Sequence, residues 1–135
     1  GKPETFTFLG FRHIARITRG RFWIQRITDK KKMTAKLKQV KAKMMRRLHL
    51  PVAEQGRWLA QVVSGHQQYY AVPGNYKAVQ AFRTQVTRHW RHALRRRSQN
   101  NRTNWDRVNR LASRYLPRTR IRHPWPDERF AARYP

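Results

Sequence analysis

YYAVPGNYKAVQAFRTQVTRHW, residues 69–90, joins two tyrosines, a Val-Pro-Gly-Asn turn and the start of a one-sided apolar pattern. Proline fixes φ and lacks an N–H, glycine tolerates positive φ, and asparagine is a favoured N-cap. Pro73-Gly74 thus stops one helix, and Asn75 caps the next. After the turn, Val79, Phe82, Val86, Trp90, Ala93 and Leu94 recur at steps of three and four, predicting a helix from about Tyr76 to Ser98. Lys77, Thr84, Arg88, Arg91 and Arg95 fall within about 60° on the opposite side at 100° per residue. Before the turn, Leu59, Val62, His66 and Tyr69 or Tyr70 supply the buried side of a helix from about Val52 to Tyr70, with Trp58 and Val63 near its boundary. The tyrosines then lock the corner between two helices. Stacking on nucleic-acid bases is the competing use of such rings.

Upstream, His49-Leu50-Pro51 ends an earlier helix that starts at Thr28-Asp29 and runs to about Leu48, with Met33, Leu37, Val40, Met44 and Leu48 as its apolar stripe. Lys31, Lys38 and Arg46 lie opposite that stripe, with Ala35 and Ala42 between them. Residues 6–27 are rich in aromatic and β-branched side chains. They read as a β-hairpin turning at Thr18-Arg19-Gly20-Arg21, with Gly10 as a bulge or a close backbone approach. Downstream, Thr103-Asn104-Trp105-Asp106 reads as a capping box that opens a short helix to about Leu116, with Val108, Leu111, Ala112 and Tyr115 inward and Arg107, Arg110 and Arg114 outward. Pro117 begins a tail with four prolines. The expected fold is mainly α: an N-terminal β-hairpin (1–28), a bundle of three to four helices (29–116) and an irregular Pro-rich tail (117–135).

Lys and Arg number 32 against six acids, a formal net charge of +26. Such a surface calls for a polyanion, and nucleic acid binds it by releasing condensed counterions. Sixteen aromatic residues (five Trp, six Phe, five Tyr) argue against a disordered basic tail, which has no core for them. A charged helix face normally carries acids in i,i+4 pairs. Between Gln55 and Trp105 there is no Asp or Glu at all, which favours a bound polyanion over a merely solvated face. Broad cationic helix faces suit A-form duplexes, which are read through phosphates, shape and 2′-hydroxyls.

Other chemistry is thinly represented. There is no cysteine, so no disulfide framework and no thiol nucleophile. His89 and His92 stand i,i+3 on a helix without a nearby carboxylate, flanked by Arg88 and Arg91. They read as conditional positive charge rather than as zinc ligands. Glu4, Asp29, Glu54, Asp106, Asp127 and Glu128 are not spaced for a two-metal site. No apolar run approaches the roughly 20 residues of a membrane span, and no partner membrane is expected. The chain begins with Gly, and Gly-Lys-Pro-Glu-Thr runs directly into the strand pattern, as in a piece cut from something longer.

Four blocks resemble one family. FTFLGFRH (6–13) is similar to the last palm block of group II intron reverse transcriptases, F-x-F-L-G-F. WLAQVVSGHQQYYAVPGN (58–75) resembles the signature of their maturase-specific domain, with the core G-x-x-x-Y-Y-x-V-P-x-N. FRTQVTRHWRHALRRRSQNNRTNW (82–105) and RIRHPWPDERF (120–130) look like the blocks that follow. The resemblance covers nearly the whole chain. It implies the C-terminal thumb and maturase module of a bacterial, cytoplasmic, nucleoprotein-associated reverse transcriptase, which grips intron RNA and the RNA–DNA template–primer duplex and assists splicing. Its implied partners are that RNA and the palm and fingers of the enzyme.

Helical geometry nominates Lys31, Lys38, Arg46, Lys77, Arg88, Arg91 and Arg95 as RNA contacts. The matched LRRRSQ block adds Arg96, Arg97 and Gln99. Tyr69, Tyr70, Pro73, Gly74, Asn75, Trp90, His123, Pro124, Trp125 and Pro126 belong to the structural motifs. The family's catalytic Tyr-x-Asp-Asp box is missing from this sequence. Polymerase activity therefore does not transfer to this chain alone, and no cofactor is expected here, with Mg²⁺ confined to the absent palm. The alternatives are a non-catalytic remnant, a part of a full reverse transcriptase without independent activity, and a general basic RNA-binding protein.

Overall fold

The computed structural model describes residues 5–98 and 104–124. Three antiparallel strands, β1 (Thr5–Phe8), β2 (Phe11–Thr18) and β3 (Arg21–Thr28), form a meander in that order. Four helices follow: α1 (Lys30–Met45), α2 (Val52–Tyr70), α3 (Tyr76–Arg97) and α4 (Trp105–Tyr115). The mainly α fold with an N-terminal β element is as expected. The hairpin, however, has a third strand. Gly10 is not a bulge but the second residue of a tight turn: Phe8 pairs with Phe11, while Leu9 and Gly10 take φ of 52° and 85°. Positive φ at both central residues matches the right-handed twist of the flanking strands. Gly10 is also a close approach, since a Cβ there would lie 2.7 Å from the Tyr70 hydroxyl oxygen.

The core lies between the helices. Val40 and Met44 of α1, Leu59 and Val63 of α2, and Phe82, Val86, Trp90, Ala93 and Leu94 of α3 pack with Val108, Ala112 and Leu116. The α3 stripe read from the sequence is thus buried throughout. On α2 the assignment shifts by one residue: Val63 is buried, and Val62 is only half-buried. Besides α3, α4 also packs on α2. It comes so close that a Cβ on Gly56 would fall 2.5 Å from the Tyr115 ring.

Buried polar side chains tie the loops to this core. The Trp90 indole N–H donates to the Gln55 carbonyl oxygen at 3.1 Å, and the Gln55 amide donates in turn to the Arg47 carbonyl at 3.0 Å. Arg83 donates from Nε to the Pro117 carbonyl at 3.0 Å and from Nη2 to the Ala112 carbonyl at 3.1 Å. A cation thereby sits at the negative end of α4 and ties it to the start of the tail, although the Ala112 carbonyl also keeps its helical bond from the Leu116 N–H. At the other end of α4, the N-cap is displaced by one residue from the expected capping box, and Arg107 at N3 leaves no acid to complete such a box. Asn104 is the N-cap and accepts from the Arg107 N–H at 2.9 Å.

The irregular tail is pinned where it can be followed. The backbone N–H groups of Arg122 and His123 donate to the Ala71 carbonyl, and the Arg122 Nε donates to the Gln67 side-chain oxygen at 3.1 Å. His123 Nε2 lies 2.6 Å from the Gln68 carbonyl, so the first part of the HPWP block holds the end of α2. Trp125 and Pro126 lie outside the described residues, and Pro124 is exposed.

His66 has an unusual place for an ionisable ring. It stacks on Phe82 with centroids 3.7 Å apart and 2° between planes, and on Tyr70 at 4.6 Å. Neither ring nitrogen has a hydrogen-bond partner. Burial, and then the charge of Lys36, lowers its pKa to about 4. The unfolded chain takes up this proton near pH 6.5 and the folded chain only near 4, so stability falls as pH drops through that window. We expect the loss at pH 5, relative to pH 7.5, to be about 2 kcal/mol larger in the wild type than in His66→Leu, as read from urea unfolding of both. Equal losses in the two proteins would show that His66 does not titrate with folding.

Candidate nucleic-acid interface

The corner at residues 69–75 answers to packing. The Tyr69 ring stacks on Phe11 at 5.5 Å, and its hydroxyl donates to the Leu9 carbonyl. Tyr70 meets Phe11 at 5.0 Å and Tyr69 edge-on at 4.7 Å. The rings do lock a corner, but they lock the sheet to α2 rather than one helix to the next. Tyr69 keeps 49% of its surface exposed while its contacts with Phe11, Leu9 and Tyr70 are structural. Asn75 stands at the N-cap position of α3, yet its side chain makes no capping bond. Its oxygen accepts from the Thr28 N–H at 2.9 Å. Its amide donates to the Thr28 hydroxyl and to the Tyr70 carbonyl, each at 2.8 Å. Pro73 is buried, and Gly74, at φ 90°, lies against the Trp23 ring and accepts from the Gln25 amide at 2.8 Å.

The cations nominated from the sequence divide into groups. Arg88, Arg91, Arg95 and Arg96 come together with His92 and Trp105 around an open cleft of about 460 Å³ between α3 and the start of α4. No acid lines it. Arg88, Arg95 and Arg96 are exposed. Arg91 is half-buried because Trp105 covers it, with the guanidinium carbon 4.5 Å from the ring centroid. The last turn of α3 carries Arg95, Arg96 and Arg97, a favourable place for cations beside the helix's negative end. That dipole accounts for some positive charge there; it does not account for Arg91 and Arg88, one and two turns further back. Arg97 donates to the Leu50 carbonyl at 2.8 Å and braces the α1–α2 turn.

Lys38 lies elsewhere, with Lys30, Lys41 and His89 in a second groove between α1 and α3 that is floored by Met33 and Leu37. Burial, then the charges of Lys41 and His92, lowers the pKa of His89 below its ordinary value. His89 therefore gains its charge at a lower pH than an ordinary imidazole, so the conditional positive charge read from the sequence is harder to raise there. Lys31, Arg46 and Lys77 are exposed and line neither groove. Gln99 lies outside the described residues. Sequence reasoning missed Trp105, whose place directly after an N-cap hid it as a capping-box residue. It also missed Lys41, one helical turn from Lys38.

No family model matches the chain, and no curated protein or solved structure matches it. Among the described residues no group of three His, Asp or Glu side chains forms a metal site, and no helix is long and apolar enough to cross a membrane.

Proposed function

We propose that this chain is an RNA-binding module of the thumb and maturase type, gripping structured intron RNA and template–primer duplex through α3 and the grooves beside it. The observation that carries the reading is the cleft at the C-terminal half of α3. Four arginines share one opening that no acid lines among the described residues, and Arg88, Arg91 and Arg95 lie on the side of the helix opposite a fully apolar stripe. Like charges held that close are unfavourable until a polyanion neutralises them. The sequence blocks resembling group II intron reverse transcriptases supply the type of RNA and the bacterial, cytoplasmic, nucleoprotein-associated setting.

A second reading, that the module works only as part of a full reverse transcriptase, rests on the sheet. Strand register places Phe6, Phe8, Ile17, Phe22 and Ile24 on one face with Phe11. Tyr69 and Tyr70 cover Phe11, but the other five remain 43% to 76% exposed. An apolar face of that kind marks a protein contact, and the palm that the resemblance implies is its natural occupant.

The test is retention. The chain, bound to a group II intron RNA at roughly physiological salt, is challenged with excess unrelated RNA, since counterion release alone gives no preference between the two. Retention on the intron RNA is expected. Immediate displacement would overturn specific maturase binding and leave a general basic RNA-binding protein.

A further inference from the structure

Among the described tryptophans, Trp23 and Trp58 are half-buried and Trp90 is fully buried, whereas Trp105 keeps 43% of its surface exposed. It does so at the rim of the arginine cleft. An indole is large and apolar, and leaving it in water forgoes burial energy that a core position would have supplied. Arg91 is stacked against it, and the Arg91 Nε is buried without a hydrogen-bond partner. The cleft therefore offers two planar groups, the indole and the Arg91 guanidinium, and further cations in Arg88, Arg95 and Arg96. Gripping a phosphate ladder requires only the cations. The indole adds an affinity for a flat ring, and the volume of about 460 Å³ lies within the range of small-molecule sites.

From this arrangement we propose that the cleft between α3 and α4 holds one unpaired nucleotide of the bound strand, its base stacked on Trp105 and its phosphate on the surrounding arginines. The inference rests on the nucleic-acid reading above and adds which part of the nucleic acid enters the cleft. A base within a duplex has both faces covered by its neighbours, so only a splayed-out base can stack on a side chain. The site is tolerant of sequence, because every base presents a π-face.

Fluorescence anisotropy tests this on the full chain with three RNA probes. One is an oligouridine of about a dozen nucleotides, within the usual span of a strand-binding module. The second is a strand of the same length without bases, and the third a blunt duplex of that length. We expect Trp105→Ala to lose about tenfold in affinity for oligouridine, to stay within about twofold on the duplex, and Trp105→Phe to recover most of the loss. Wild-type protein should itself bind the baseless strand about tenfold more weakly than oligouridine, a measurement that does not depend on any variant folding. Unchanged binding of oligouridine by Trp105→Ala, equal losses on single strand and duplex, no recovery with Phe, or equal wild-type affinity for baseless strand and oligouridine would each overturn the nucleotide site while leaving the broader reading intact. Failure of the wild type to bind any of the probes would instead sink the nucleic-acid reading, and this site with it.

Discussion

Replacing Arg88, Arg95 and Arg96 together by Gln is expected to weaken RNA binding on the order of a hundredfold at about 0.1 M salt. Each phosphate contact releases roughly 0.7 to 0.9 of a counterion, so three lost contacts flatten the log–log salt slope by about two to three. Because that contribution fades towards about 1 M salt, one decade below it the loss amounts to two decades or more. All three side chains are exposed, and the apolar stripe of α3 lies on the other side, so melting should barely change. Arg91 is left in place because its guanidinium also packs on Trp105, and its removal would mix a charge effect with a packing effect. A comparison set, Arg19, Arg21 and Arg57 to Gln, removes the same charge from exposed positions outside the cleft. It should cost far less, since charge remote from the bound phosphates acts mainly through the overall field. If both sets lose affinity alike, net charge and not the α3 cleft is what binds. If the first set binds like wild type, the interface lies on another face.

What the sequence disclosed, and what it hid, follows from the range of each interaction. Val79, Phe82, Val86, Trp90, Ala93 and Leu94 could be assigned to one buried stripe because helical periodicity is local and apolar burial has no direction. The breaks at Pro51, Pro73-Gly74 and Pro117 were legible for the same reason. The Leu9-Gly10 turn was not, because only four residues follow it upstream to the start of β1, too few for alternation to separate a turn from a bulge. Val63 was placed wrongly because the pattern on α2 cannot say how many helices surround it. Gln55, Gln67 and Arg83 gave no signal at all. Each is an ordinary surface residue by type, and its burial or half-burial depends on carbonyls about eight to fifty residues away in the chain.

The candidate site was half legible on the same grounds. Arg88, Arg91 and Arg95 share a helix face, so one helix sufficed to group them. Joining them with Trp105 required the packing of α4 on α3, which no periodicity contains. His89 and Lys38 likewise meet across two helices, and the lowered pKa of His89 follows from its burial there and from the charges of Lys41 and His92 rather than from its residue type.

Asn75→Ala is expected to destabilise the protein by about 3 to 5 kcal/mol, far more than a lost N-cap, which costs about 1. Asn75 is 1% exposed and Thr28 is 3% exposed, so water cannot replace the amide. The variant strands the Thr28 N–H without its acceptor, and deprives the Thr28 hydroxyl and the Tyr70 carbonyl of the same donor. A buried polar group left unsatisfied costs about 1 to 3 kcal/mol, and the Thr28 N–H and hydroxyl are affected at once, while the Tyr70 carbonyl keeps the Val72 N–H at 2.8 Å. Asn75→Asp should be no better, because a carboxylate keeps the acceptor for Thr28 but sets a buried charge against the Tyr70 carbonyl. Urea unfolding of the variants reads the loss directly, and a change near 1 kcal/mol would mean that Asn75 is only a helix cap. The stability effect should leave affinity alone. Asn75 lies at the start of α3, and Arg88 to Arg96 lie along its second half, roughly 20 Å or more away at 1.5 Å per residue. Measured cold enough to keep the variant folded, its RNA affinity should therefore match the wild type. A joint loss of stability and affinity would instead place the sheet corner, and the exposed apolar face beside it, in the path of the bound RNA.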